Sequence, residues 1–331
     1  MVLSVLGMGA VSALGGSIDE FRAGLEGHGK PFIEVAEFPV YRADSSGLQN
    51  FMPQRALRRI DSFTRMALLA SFDAIKDSGI ALKDMGRTGI IFGSAFGPLN
   101  TTFAFQDSLI DDGDKCASPL HFAASVHNSP AAQVSIQMGI DGHVQTLSAF
   151  NHTVSGVLEL ARSWIENGIV DTVIAGAGDE YCPLRGYATA RMLNGIAPSG
   201  IQPLDFDKCS YLPGEGFAVF ILANGEKPSK YGVLKKTSVR VGIDESNSIL
   251  KDGKNIKALF LAANGNNGEG ETYAKINAGN IPVRAHSHLY GAFPCATALS
   301  IAAALLSEEN SVLCAEYSGD GELNLYETGE K

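Results

Sequence analysis

Short apolar runs and stretches of helical period take turns along this chain. Val2–Leu6 and Thr88–Phe92 read as buried strands, the first broken by Gly7-Met-Gly9, the second ending in Gly93-Ser-Ala-Phe-Gly97. Between them Ser17 is placed to cap a helix over Ile18–Leu25, and residues 27–54 read as glycine- and proline-punctuated loop. Arg65–Ser78 predicts a helix stopped by Gly79, and Thr101–Leu109 and Ala131–Met138 predict two more. The sharpest change of period falls at Val144–Gly156. A short strand, Val144–Leu147, turns into an amphipathic helix with apolar positions at Val154, Val157, Leu158, Leu160, Ala161, Trp164 and Ile165.

A side chain at such a strand-to-helix elbow meets the orphan N–H groups and the positive dipole end of the helix, where a nucleophile or an oxyanion is favoured. Ser148 stands at the turn. Its two readings are a nucleophile and a simple helix cap.

The pattern then repeats in shorter form. Thr172–Ala175, Tyr211–Leu222, Leu234–Val241 and Ala258–Ala262 predict strands. Ile281–Ala285 predicts another, running into a second elbow at His286-Ser-His288 and a helix over Ala292–Ser307. Ser311–Tyr317 and Leu323–Tyr326 predict a closing hairpin turned by Ser318-Gly-Asp-Gly321. Strands alternating with helices indicate an α/β protein. With no low-complexity linker, the expectation is a duplicated fold, residues 1–224 forming one half and residues 225–331 a shortened second half.

Composition narrows the function. A share of 45% hydrophobic residues suits a sizeable core, and 37 glycines suit many tight turns. A net charge of −10 argues against nucleic acid or an anionic membrane surface as partner. Arg55, Arg58, Arg59 and Arg65 form the one tight arginine cluster for an acidic partner. Cys116, Cys182, Cys209, Cys295 and Cys314 have no paired spacing, so neither a disulfide framework nor a metal site is expected, and Cys295 and Cys314 read as core. The start lacks a signal-peptide pattern and Ala296–Leu306 is too short to span a bilayer, which gives a cytoplasmic expectation.

Six segments in order resemble a β-ketoacyl synthase of the thiolase-like superfamily: Leu6-Gly-Met-Gly-Ala-Val-Ser-Ala-Leu-Gly15, Arg59-Ile-Asp-Ser-Phe-Thr, Gly93–Gly97, Val173-Ile-Ala-Gly-Ala-Gly178, Pro203-Leu-Asp-Phe-Asp through Gly-Glu-Gly216, and His288-Leu-Tyr-Gly-Ala292. The segment from Ser118-Pro through Ser125-Val-His-Asn-Ser-Pro-Ala-Ala resembles the chain-length-factor-type partners found with aryl-polyene and related polyketide systems. The resemblance implies a five-layer αβαβα architecture, dimerisation, and acyl groups delivered by an acyl carrier protein, with no further cofactor.

An active condensing enzyme of this kind carries a cysteine at the elbow and two histidines. The resemblance puts Ser148 at the cysteine position, Asn264 at the first histidine and His288 at the second. It puts Val283 where a lysine is usual, with Arg284 adjacent, and Tyr317–Gly321 where a gatekeeper phenylalanine is usual. The stretch 242–257 is short, so a helix and loop that help wall the acyl site are expected to be missing. A serine hydroxyl is far less acidic than a thiol at a helix N-terminus, and losing one oxyanion donor costs roughly 3 kcal/mol. The resulting expectation is a chain-length-factor-like partner of an active ketosynthase, impaired in condensation, acting as heterodimer or as homodimer. Two alternatives stay open: an acyltransferase or thioester hydrolase using Ser148 with His288, and a homodimeric malonyl-thioester decarboxylase using Asn264 and His288. His121, His127 and His152 are expected at surface or dimer contacts, and Asp205, Asp207 and Glu215 at turns and sheet ends.

Overall fold

A computed structural model describes residues 1–28, 33–35, 38–252 and 255–330 of the chain. Strand β1 (Leu3–Val11) and helix α1 (Ile18–Ala23) open the chain, followed by the hairpin β2 (Ile33–Val35) and β3 (Phe38–Val40). Then come α2 (Gln54–Leu57), α3 (Ser62–Ser78), β4 (Thr88–Gly93), α4 (Leu99–Asp112), α5 (Pro119–Ala124) and α6 (Ser129–Met138). The first elbow is β5 (Val144–Leu147) leading to α7 (Thr153–Glu166), with β6 (Thr172–Asp179), α8 (Pro183–Met192) and β7 (Gly216–Asn224) after it. The rest is β8 (Val233–Val241), α9 (Ile243–Asp252), β9 (Ala258–Leu261), α10 (Asn267–Tyr273), β10 (Val283–Arg284), α11 (Ser287–Tyr290), α12 (Thr297–Leu306), β11 (Val312–Gly319) and β12 (Glu322–Gly329).

Ten of the strands form one ladder in the order β10-β9-β11-β12-β8-β1-β7-β6-β4-β5. It contains the same five-strand pattern twice. Reading outward from the join, β1-β7-β6-β4-β5 matches β8-β12-β11-β9-β10. In each set the first two pairings are antiparallel and the last two parallel. The sets meet where Leu3 and Ser4 pair with Leu234 and Val233.

Strand alternation then sorts the core into layers. On β7, Ala218, Phe220 and Leu222 face one core, shared by α7 and α12, while Phe217, Val219 and Ile221 face another under α3 and α6. On β9 and β11, Ala258, Phe260, Val312 and Cys314 join that shared core, whereas Leu259, Leu261, Leu313 and Ala315 face the outer helices α9 and α10. Helix, sheet, paired central helices, sheet and helix give the five-layer α/β architecture of the thiolase-like fold. Cys295 and Cys314 are buried in the central layer, as their apolar neighbours suggested.

Several element boundaries differ from the sequence reading, each for a visible reason. β1 does not break at Gly7 but continues to Val11. Its glycines serve approach, since a Cβ on Gly9 would lie 2.0 Å from the Ala70 carbonyl oxygen of α3. The helix expected from Arg65 begins at Ser62, because Asp61 caps it by accepting from the Thr64 N–H and hydroxyl, 2.9 and 2.7 Å. Asp61→Ala is expected to cost about 1–2 kcal/mol of unfolding free energy, checked by urea denaturation. The strand expected from Tyr211 starts only at Gly216, since Leu212 and Gly214 pair with Ala292 instead. The helix expected from Ala292 starts at Thr297, after a one-turn segment opened by Pro294. The loop read over 27–54 holds the β2–β3 hairpin, while positions 29–32 and 36–37 lie outside the described residues. The stretch 242–257 retains α9, and positions 253–254 likewise lie outside them. Among the described residues no helix is long and apolar enough to cross a membrane.

Candidate active site

The first elbow is longer than the sequence suggested. After β5 the chain makes a one-turn helical segment over Phe150–His152, with Phe150 at φ 45°, before α7 begins at Thr153. Ser148 is therefore not the cap of α7. It is exposed, and its Oγ donates a long 3.3 Å bond to the Ala95 carbonyl. The side chain next to the helix start that reaches the interior is Asn151. It borders a cavity of about 350 Å³ that the second half of the fold closes.

Three elements supply the polar wall of this cavity. Asn264 and Asn266 follow β9, where the Asn264 Oδ1 accepts from the Asn266 N–H at 3.0 Å. Glu269 projects from α10, hydrogen-bonded to the Asn264 side chain, and burial pushes its carboxyl up to about 7 against that bond. Glu316 comes from β11 at the base, 5% exposed. It accepts from Thr297 Oγ1 and Tyr326 Oη, both at 2.5 Å, and from Asn324 Nδ2 at 3.1 Å. Burial lifts this carboxyl to about 7 as well, with the three donors pulling the other way. The same Asn324 amide donates to the Asn151 carbonyl at 2.8 Å, which ties the closing hairpin of the second half to the elbow of the first.

The rest of the lining is aromatic and cationic. Phe96, Tyr211, Tyr273, Phe293 and Tyr317 belong to it. Arg185 lies 5.4 Å from the Phe96 ring centroid and donates to the carbonyls of Glu180, Gly214 and Ala292. Buried Asp179 meets its charge, and Glu215, paired with Arg42 at 3.2 Å, lies within its field as well. Asp179 itself accepts from the N–H groups of Ala95, Phe96 and Cys295, and Glu215 from those of Ala43 and Tyr181. Glu215 thus holds a sheet end together.

Of the three residues proposed from the sequence, only Asn264 lines the cavity. His288 sits on α11 and remains exposed. It is covered enough for burial to lower its pKa, against a backbone bond with Ala285. No hydrogen bond joins it to Ser148 among the described residues. Its neighbour His286 packs on Phe260 at 5.0 Å, and burial brings it down to about 4. Arg284 pairs with Glu309 and stacks on Phe260, and Val283 is on the surface. His127 covers Gly97, while the Nδ1 atoms of His121 and His152 are buried with no hydrogen-bond partner.

The sequence reading missed Asn151, Arg185, Glu269 and Glu316. One signal was available. Glu316 is the only charged side chain in the apolar run Val312–Tyr317, and a lone carboxyl in a buried strand needs partners.

With the geometry in place, comparison with known proteins is informative. A family model described as "Beta-ketoacyl synthase, N-terminal domain" matches residues 3–227. The chain is 24% identical over 244 residues to 3-oxoacyl-[acyl-carrier-protein] synthase 2 of Staphylococcus aureus strain N315, covering 69% of this chain and 59% of that relative. The corresponding Vibrio cholerae synthase is 23% identical over the same share. The chain thus spans about six tenths of the length of these curated relatives. Among solved structures, the ishigamide ketosynthase/chain length factor superposes with TM-score 0.80 at 16% identity, covering 100% of this chain and 99% of that one. The ketosynthase ApeO in complex with its chain length factor ApeC, from Xenorhabdus doucetiae, gives TM-score 0.79 at 16% identity, covering 100% and 98%.

Proposed function

The chain belongs to the β-ketoacyl synthase family, and from that premise we propose that it serves as the non-condensing partner of an active ketosynthase, a chain-length-factor-like subunit. The observation that carries this reading is the lining of the cavity. Where a condensing site needs a thiolate beside two imidazoles, the described residues offer Asn151, Asn264 and two carboxyl groups. An amide is not a nucleophile toward a thioester, and neither Glu269 nor Glu316 can replace a histidine as a neutral donor once ionised.

The surface supports a partner. β5 is the last strand of the ladder, half exposed, with its outer edge open. Around it stand exposed apolar side chains, among them Phe122 at 59%, Ile136 at 68% and Phe150 at 58%. Such an edge suits extension by a strand of a second subunit, ketosynthase or a further copy of this chain. Arg55, Arg58 and Arg59 are exposed on and beside α2, a local cationic site for an acidic acyl carrier protein, whereas Arg65 is turned inward onto the carbonyls of Leu57 and Ile60. The division into halves at residue 224 is part of the same proposal, as is a soluble, cytoplasmic setting.

Intact-protein mass spectrometry tests the reading. After incubation with acyl- and malonyl-carrier thioesters, the isolated chain is expected to carry no acyl adduct and to elongate nothing, with Ser148→Ala indistinguishable from wild type. An adduct that disappears in Ser148→Ala would instead establish an acyl-serine enzyme, and CO2 release from malonyl-carrier by the chain alone would favour the decarboxylase. Elongation by the chain alone would defeat the proposal.

A further inference from the structure

Resting on the acyl-handling role just proposed, we infer that Glu269 and Glu316 make this cavity selective for an uncharged acyl group and exclude one that ends in a carboxylate, the malonyl type of extender. Charge balance within a small volume sets the selectivity. At about 350 Å³ the cavity is at the lower end of ligand sites, so any acyl group inside it lies close to every charged wall.

Two carboxyl groups, Glu269 and Glu316, and one guanidinium line that space. Arg185 is the one cation among the described lining residues. Its N–H groups are directed at three carbonyls and its charge meets that of buried Asp179, while Glu215 is paired chiefly with Arg42 at 3.2 Å. Glu269 and Glu316 have no cation of their own. Glu316 has three neutral donors and Glu269 one amide. The other titratable groups facing the two are the phenols Tyr273, Tyr317 and Tyr326 and the Cys295 thiol, which bring no positive charge. His286 and His288 are not among the lining residues.

A carboxylate entering here would have to shed water and face two anions without a free cation, which is unfavourable in a low-dielectric site. An alkyl acyl group meets Phe96, Phe293 and Ala296, and the Asn151 amide, with the second N–H of the Asn264 amide whose first is given to Glu269, can donate to a thioester carbonyl. Both carboxyl groups, lifted to about 7, are ionised at pH 8.5 and largely protonated at pH 6, so the exclusion is set to weaken in acid.

The test is calorimetric or NMR titration of the whole chain with two non-hydrolysable pantetheine analogues, one butyryl and one malonyl. At pH 8.5 the butyryl analogue is expected to bind at least tenfold more tightly, and the gap to shrink severalfold at pH 6. Glu269→Gln, at the partly exposed edge of the cavity, is expected to narrow the gap between the two analogues at pH 8.5. Glu316→Gln is a second arm with the same expectation. Equal or tighter malonyl binding at pH 8.5, a gap unmoved by both variants, or no binding of either analogue would overturn the inference. Those outcomes are separate from the adduct and elongation assays, which decide the subunit's role whichever analogue it prefers.

Discussion

Glu316→Gln is expected to cost this protein most stability in acid and least above neutrality. The wild-type carboxyl holds its proton to about pH 7 in the folded chain and releases it near 4.5 when unfolded. Between those values the folded state binds more protons than the unfolded one, so unfolding free energy falls as pH rises, and it levels off above about 7. The shift corresponds to about 3 kcal/mol, present in full below pH 4.5 and lost by pH 8. Glutamine cannot ionise, so the variant lacks this slope. Its cost is largest at pH 4.5 to 5 and shrinks, or turns to a gain, by pH 8. Denaturant titrations of both proteins at pH 5, 6, 7 and 8 measure the difference, and parallel curves would refute the assignment. Glu316→Ala is harsher at every pH, because Thr297, Tyr326 and Asn324 lose their common acceptor in a buried site.

Gly9→Ala is expected to be among the most damaging single-atom additions in the chain. Its Cβ would lie 2.0 Å from the Ala70 carbonyl oxygen and 2.8 Å from the Ala74 N–H nitrogen, both backbone atoms of a buried helix. Neither can swing aside as a flexible side chain would, so strand and helix must separate along a contact that organises the core under α3 and α6. A loss of about 4 kcal/mol or more is expected, seen as a large fall in Tm or as insoluble expression. Gly200→Ala is the control. It meets nothing within 4 Å and has no positive φ, and it should stay within about 0.5 kcal/mol of wild type.

Much of this architecture was legible beforehand because it follows from periodicity. The apolar face of α7 and the alternation along β7 are local facts of the sequence, and the duplication follows from the order of strands and helices. The site was less legible. A glycine within a strand reads as a break when only neighbours in sequence are considered, yet Gly7 and Gly9 face a helix more than sixty residues away. Local pattern puts the elbow three residues early, at Ser148, because in sequence the strand and the helix look directly joined. The intervening turn, with Phe150 in the left-handed region, brings Asn151 to the cavity instead. Glu269 and Glu316 converge from α10 and β11, and Asn324 reaches Asn151 across 173 positions. Side-chain partnerships of that span leave no trace in local pattern.

The two rims of the ladder are unequal. At one end β10 is two residues long and carries Arg284, engaged with Glu309, so it is a blunt margin. At the other, β5 offers four residues with an unpaired edge. A ribbon that can be lengthened from one side only has nothing left to offer after a single joining. A second copy joined β5 to β5 would use up both open edges, so assembly of this chain by that route would stop at two.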